Sequence, residues 1–424
     1  MKQSQYQYRI NLSFNNLIKN LQVRKNLQIK LWGGILLIAG TSIGAGMLGL
    51  PIATAQAGFL NSSLLFIFCW ILMTFTALLT LEVNLCFPKN WNVISIAKAT
   101  LGKPGELISW TIYLLFLYSL VSAYIAGGRD ILYGLLITIG IKVPISLCGG
   151  LFIFLFSSIV IFGIKSVEIF NRFIMVFKLS LIFLLIFYLS PYVNSDNYFQ
   201  QNIKLLLPSI SVAITSFGFS IIIPSLRNYF EDNIKKLRLT ILTGSFLSLL
   251  CYIGWNAVIL GTIPLNGEYA LSQLRNAEQP ISELLESISY YTQAKKTALL
   301  LKIFVSISTL TSFVCVSLAL FDYLADGFQT NRAERKKWII ILATFTPPFL
   351  ITTFYPKAFI LFLSLAGLFC MTLQGLMPAI MVWNCRYLKK IPTAYEVWGN
   401  KFTLSTSIFV SILIIFITIY EIIS

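Results

Sequence analysis

Histidine is absent from this chain of 424 residues. That removes the commonest general base, histidine-containing catalytic triads and imidazole metal ligands together. Cysteine is present (Cys69, Cys86, Cys148, Cys251, Cys315, Cys370 and Cys385) but never as a C-x-x-C pair, so neither a zinc site nor a disulfide framework is indicated. Charge is scarce as well. Only 11% of residues are charged, against about one-quarter in a soluble protein. No apolar run alternates with polar residues in the way a transmembrane β-barrel requires. No short apolar core with a small-residue cleavage site opens the chain, so no removable signal peptide is expected.

What fills the chain is apolar: 57% of residues are hydrophobic. A spanning helix takes about 20 such residues. Eleven segments qualify, at 33–58, 63–86, 107–127, 145–164, 168–190, 206–226, 239–261, 297–321, 338–355, 358–384 and 403–420. The expected fold is therefore an all-α membrane protein with eleven transmembrane helices. Residues 1–31 read as a polar, basic cytoplasmic tail, 32–400 as a ten-helix core and 401–424 as an eleventh helix. The longest polar connection is 262–296, where Pro280 precedes Ile281, Leu284, Leu285 and Ile288 at helical spacing, the pattern of a short interfacial helix.

A net charge of +16 invites a nucleic-acid partner, but the distribution argues against one. Basic residues crowd into alternate loops, among them Arg24, Lys25 and Lys30, then Lys98 and Lys103, Lys165, Lys235 and Lys236, Lys336 and Lys337, and Lys389 and Lys390. Arg129, Lys142, Lys204, Arg275 and Lys302 fall sparsely on the other side. This is the positive-inside pattern. It places the amino terminus in the cytoplasm of a bacterial inner membrane and, with an odd number of spans, the carboxyl terminus outside. The lipid bilayer is the partner implied, and no nucleic acid.

The first segment carries Gly40-Thr-Ser-Ile-Gly-Ala-Gly-Met-Leu-Gly-Leu-Pro51. Glycine and proline are the weakest helix formers. A broken backbone at membrane depth is tolerated only where it is buried in protein or lines a cavity. The G-x-G-x-x-G match at Gly44–Gly49 lacks the preceding strand and βαβ unit of a dinucleotide site, so no nucleotide cofactor is read. Close helix packing through small residues is the plain alternative. Against packing alone stands an echo in the sixth segment, Thr215-Ser-Phe-Gly-Phe-Ser-Ile-Ile-Ile-Pro224. Both stretches read Thr-Ser-x-Gly followed by a proline, and they lie five spans apart, so their orientations are opposed. Interrupted helices at matching positions of two inverted halves, about 33–190 and 206–384, point to a secondary-transporter site.

At such breaks, freed amides suit a carboxylate and freed carbonyls suit an ammonium group or a cation. An amino acid supplies both. The binding candidates are Thr41, Ser42, Ile43, Gly44, Ala45 and Gly46 from the first break, and Thr215, Ser216, Phe217, Gly218 and Phe219 from the second. Phe217 and Phe219 are candidates for an apolar wall, and Tyr124, before Gly127 and Gly128, for a lid. Ser306, Ser308, Thr309, Thr311 and Ser312 form a polar cluster in the eighth segment. Ionisable groups inside spans are functional by default, which makes Lys178 and Glu82 the candidates for proton coupling, with interfacial placement the plainer role for Glu82. No metal site or cofactor is expected, and the sequence carries no reading of oligomeric state.

With these residues in view, the chain resembles the hydroxy/aromatic amino acid permeases (the tyrosine and tryptophan permeases) of the amino acid–polyamine–cation superfamily. The likeness is strongest over 33–58 and extends to Tyr124-Ile-Ala-Gly-Gly128. It implies a LeuT-type fold of five-plus-five inverted repeats with one extra helix. It also implies proton-coupled uptake of tyrosine or tryptophan by alternating access, with no enzymatic step. The alternatives are a sodium-coupled or a serine/threonine-type carrier of the same fold and, more remotely, a multispan membrane enzyme or a channel.

Overall fold

The computed structural model describes residues 28, 30–89, 91–161, 164–199, 203–274, 277–327, 334–355 and 358–423. Most of the tail expected at 1–31 lies outside the described residues. The chain is helical throughout, with no strand among the described residues. In chain order the helices are α1 (Lys30–Ser42), α2 (Ala45–Thr54), α3 (Phe59–Leu85), α4 (Val93–Thr138), α5 (Ile145–Ile161), α6 (Ile164–Leu189), α7 (Ile210–Ser216), α8 (Ile223–Phe230), α9 (Ile234–Thr262), α10 (Leu271–Leu274), α11 (Pro280–Thr292), α12 (Lys295–Gly327), α13 (Glu334–Phe354), α14 (Ala358–Cys370), α15 (Met377–Trp383) and α16 (Lys401–Ile423).

Among the described residues, eight helical stretches are long and apolar enough to cross a membrane, and nine are if the bent first pair counts as one span. Ile145–Ser157 and Trp338–Phe354 are apolar but shorter. Each of the eleven expected segments falls on one of these elements, while length and composition alone support eight or nine crossings. The short helix expected after Pro280 is present as α11.

Residues at the element ends explain several boundaries. Asn92 Oδ1 accepts from the Ser95 amide at 2.9 Å and starts α4. Asn233 Oδ1 accepts from the Lys236 amide at 3.1 Å and starts α9. Gly102, at φ +76°, kinks α4 ahead of Pro104 in a conformation that favours glycine. The third segment, expected to end at 127, continues as helix to Thr138. Gly127-Gly128-Arg129-Asp130 imitates a helix end, but Ile131 to Ile137 are apolar enough to carry the helix through it.

Lipid offers apolar side chains no reward for leaving it, so such helices associate through close packing and polar contacts. Several small residues mark those contacts. A Cβ on Gly46 would lie 2.4 Å from Ser216 Oγ, and one on Gly367 only 2.1 Å from the Ser211 carbonyl oxygen. α14 packs against α4 and α7, α12 against α4 and α6, and α3 against α9.

One end of the bundle is closed by charge. Arg386 grips Glu82 through Nε–Oε1 at 2.6 Å and Nη2–Oε2 at 2.5 Å, and the Val397 amide donates to Oε2 at 2.7 Å. Nearby, Arg227 donates to the carbonyls of Asn84 and Phe87 and to Asp232. Two π-helical turns, Met371–Leu376 and Asn384–Leu388, flank α15.

Candidate functional site

The two breaks face each other. α1 and α2 meet at a bend of 48°. Gly44 precedes α2 with no side-chain cap, so the first amides of that half-helix keep their donor capacity. The Gly44 amide turns back to Ser42 O at 2.9 Å. On the other side α7 stops at Ser216, the Gly218 amide bonds Thr215 O at 3.1 Å and the Phe219 amide bonds Phe217 O at 2.9 Å. The helix resumes through Ser220, whose amide and hydroxyl both donate to Gln374 Oε1, at 3.0 and 2.8 Å.

A single side chain joins the breaks. The buried hydroxyl of Tyr252, on α9, lies 2.6 Å from Ser42 O and 2.7 Å from Ser216 O. Those carbonyls belong one to each break. Lys178, on α6 and also buried, donates from Nζ to the Ile43 carbonyl. A fixed ammonium thus sits on the first break's freed carbonyl edge.

Between them lies a cavity of about 370 Å³, within the usual range for small-molecule sites. Thr41, Ser42 and Gly46 enter it from the first break, Thr215 and Gly218 from the second, and Lys178 from α6. Tyr124 lines it from α4 and Ser312 from α12. A Cβ on Gly44 would lie 3.0 Å from Tyr124 OH and 2.9 Å from Ser312 Oγ, so both hydroxyls converge on the break.

Not every expected residue reaches this cavity. Ile43 offers its carbonyl while its side chain packs in the main core. Ala45 opens α2. Ser216 is tied by its carbonyl to Tyr252 and by its hydroxyl to Val212 O at 2.8 Å. Phe217 and Phe219 are fully buried and pack away from the cavity, Phe217 with its ring centroid 5.1 Å from that of Tyr252. The apolar wall comes instead from Tyr113, Phe116, Leu117 and Leu120 of α4. Glu82 stands apart, saturated by Arg386 and Val397. Of the polar cluster in the eighth segment, Thr311 and Ser312 line the cavity and Ser306 does not.

Tyr252, Gln374 and Asp130 enter as residues the motif reading missed. Tyr252 and Gln374 are polar within apolar segments and away from the break motifs, so that position was the one signal available, while Asp130 falls just past the expected end of the third segment. Beside the carboxyl-terminal end of α4, burial pushes the Glu283 carboxyl of α11 above its ordinary range, and Glu286 and Glu278 add to that shift.

A helical bundle that crosses the membrane many times, with its central cavity built from two opposed helix breaks, has the architecture of a carrier. The chain belongs to the tryptophan/tyrosine permease family, whose profile matches residues 28–418. It is a bacterial multi-pass membrane permease and not an enzyme. The tyrosine-specific transport system 1 of Haemophilus influenzae is 32% identical over 387 residues, covering 90% of this chain and 94% of that protein. The tryptophan-specific transport protein of the same organism is 32% identical over 397 residues, with the same coverage. Among solved structures, a manganese transporter of Eremococcus coleocola superposes with a TM-score of 0.59 at 14% identity, covering 94% of this chain and 87% of that one. At that identity the likeness is one of fold.

Proposed function

We propose that the protein imports tyrosine or tryptophan across a bacterial inner membrane by proton symport, through alternating access of the cavity between the two breaks. The observation that carries this reading is the convergence of both breaks on one cavity, joined by Tyr252. In this reading the substrate carboxylate meets the first amides of α2 with the hydroxyls of Tyr124 and Ser312. Its ammonium group meets the freed carbonyls around Thr215 to Gly218. The ring lies along Tyr113, Phe116 and Leu120. The names of the relatives support an aromatic substrate.

Lys178 favours protons over sodium. Freed carbonyls are what a sodium ion needs, and here an ammonium group already occupies the Ile43 carbonyl. Lys178 stands there as a charge in place of a coupling cation, and the transported proton binds another group. Glu82, locked to Arg386, is left out of the coupling scheme. The frame of the proposal is eleven spans in five-plus-five inverted repeats of LeuT type, 33–190 and 206–384, with a cytoplasmic amino terminus and an extracytoplasmic carboxyl terminus.

The test is uptake of labelled tyrosine by the purified protein in liposomes. The expected result is accumulation driven by an inward proton gradient without sodium, competed by tryptophan and not by serine. Dependence on a sodium gradient with none on pH sinks the proton reading. Competition by serine equal to that by tryptophan sinks the aromatic one.

A further inference from the structure

Because α4 runs unbroken to Thr138, Arg129 and Asp130 lie within the helix rather than in a loop after it. Both are buried, with side chains 3% and 0% exposed. Their contact is poor. Arg129 Nε and Nη2 approach Asp130 Oδ1 only to 3.4 Å. Arg129 Nη1 donates instead to the Thr352 carbonyl, at 2.8 Å. Asp130 Oδ2 has no hydrogen-bond partner among the described residues.

The other buried carboxylate among the described residues shows what a permanent charge looks like here. Glu82 accepts three bonds between 2.5 and 2.7 Å. A buried carboxylate that lacks such partners is costly, and the protonated acid is not. Asp130 is therefore held in surroundings that serve its neutral form, beside a cation that can serve its ionised form.

A second cavity, of about 380 Å³, is lined by its neighbours on α4 and α11, with Asp130 itself buried behind them. Ile131 and Gly134 of α4, Ser282 and Glu286 of α11, and Lys302 and Ser306 of α12 line that cavity. Ser282 Oγ donates to the Asp130 backbone carbonyl at 2.8 Å and so fixes α11 beside it. The titratable and charged groups around Asp130 and the cavity are Arg129 on its own helix, Glu283, Glu286 and Tyr290 on α11, Tyr269 before it and Lys302 on α12, with Cys148 of α5 against Arg129. Tyr124 of the substrate cavity lies six residues earlier on α4, about 9 Å along the helix axis.

We infer that Asp130 is the carboxylate that takes up the transported proton, reached from this second cavity, with Arg129 as the counter-charge of its ionised form. This rests on the proton-coupled reading above. Proton uptake turns the carboxylate into a carboxylic acid and removes its pull on Arg129, which keeps its Thr352 contact. Proton release restores the ion pair. No other bond forms or breaks. Because one rigid helix carries both Asp130 and Tyr124, a change of partners at the first is transmitted to the second.

The test compares wild-type protein and Asp130→Asn in liposomes, by two measurements. One is tyrosine accumulation under a proton gradient, where about one pH unit supports about a tenfold gain for one-to-one coupling. The other is counterflow, the exchange of labelled for unlabelled tyrosine without a gradient. The expected result is loss of the tenfold gain with counterflow kept. Accumulation equal to wild type overturns the inference, and so does loss of counterflow in a folded variant. Where Asp130→Asn does not fold, infrared titration of the wild-type protein gives the answer. A protonated carboxyl band that shifts in Asp130→Glu supports the inference, and the absence of any band assignable to residue 130 overturns it. If wild-type accumulation follows sodium and not protons, the coupling reading fails, while the infrared titration still reports whether Asp130 binds a proton.

Discussion

Tyr252 presents one proton to two carbonyls. The Ser42 and Ser216 oxygens both lie within hydrogen-bond range of its hydroxyl, and at any instant only one of them accepts the bond. Tyr252→Phe takes the hydroxyl from both carbonyls, leaving Ser42 O only the Gly44 amide, at a cost of about 1–3 kcal/mol. The expected outcome is a lower melting temperature in detergent and a fall in maximal uptake larger than any rise in KM. Lys178→Ala removes the ammonium group from the Ile43 carbonyl. It is expected to abolish proton-driven accumulation, and unchanged accumulation removes Lys178 from the mechanism. Lys178 was legible in the sequence because a lysine amid apolar residues is conspicuous. Tyr252 was not, because tyrosine is as common at a membrane interface as in a site and only the third dimension brings it to the two breaks. Asp130 was hidden by its neighbours, since two glycines and an arginine read as the end of a helix.

Between elements, the contacts divide into those that must stay closed and those that are merely close. Glu82 and Arg386 fasten the end of α3 to the π-turn Asn384–Leu388. Removing one partner of such a buried pair costs about 3–5 kcal/mol, whereas replacing both by apolar groups is often tolerated. Glu82→Ala should therefore unfold the detergent-solubilised protein at clearly lower temperature than Glu82→Leu with Arg386→Met. The reverse order argues that the pair is not a stabilising clasp. Gly46 and Gly367 are close approaches of a different kind. The Gly46 Cβ position lies 3.0 Å from the Ser216 Cα, and that of Gly367 lies 2.1 Å from a backbone oxygen. Gly367→Ala should thus destabilise more than Gly46→Ala, whose nearest obstacle is a hydroxyl that can rotate. Melting curves of the two variants check the order. The glycines of the first break were readable as a motif. Gly367 was not, because one glycine in an apolar run carries no spacing signal.

Over the whole molecule, the charge that closes the basic end bears on how pH dependence should be read. The hydrogen bond from Arg227, at 2.6 Å, holds the Asp232 carboxyl below its ordinary range. A depressed carboxyl stabilises the folded state above its unfolded pKa, and that contribution is lost as pH falls through the folded value. Asp232 therefore contributes equally across about pH 5 to 8, the window in which physiological switches operate. Asp232→Asn should leave the shape of the uptake profile in that window unchanged, which makes it the control for Asp130→Asn. A shifted profile places a titrating group at this end of the bundle. The helical, membrane-crossing character of the chain was plain from composition, because an apolar excess of this size has no other solvent. The number of crossings was less plain. Residues 145–157 and 338–354 form helices too short to declare themselves by length, and neighbours rather than composition decide how they sit.

The π-turn at Met371–Leu376 winds one surplus residue into an otherwise α-helical rod. Such a residue has no fixed address. Passing it along by one position turns the residue it crosses by about 100°, with the chain unbroken and the helix beyond unmoved. Gln374, which caps the second half-helix through Ser220, sits on that turn. The grip on the second break is thus set by the phase of a helix, and a phase can be advanced or retarded without unfolding what carries it.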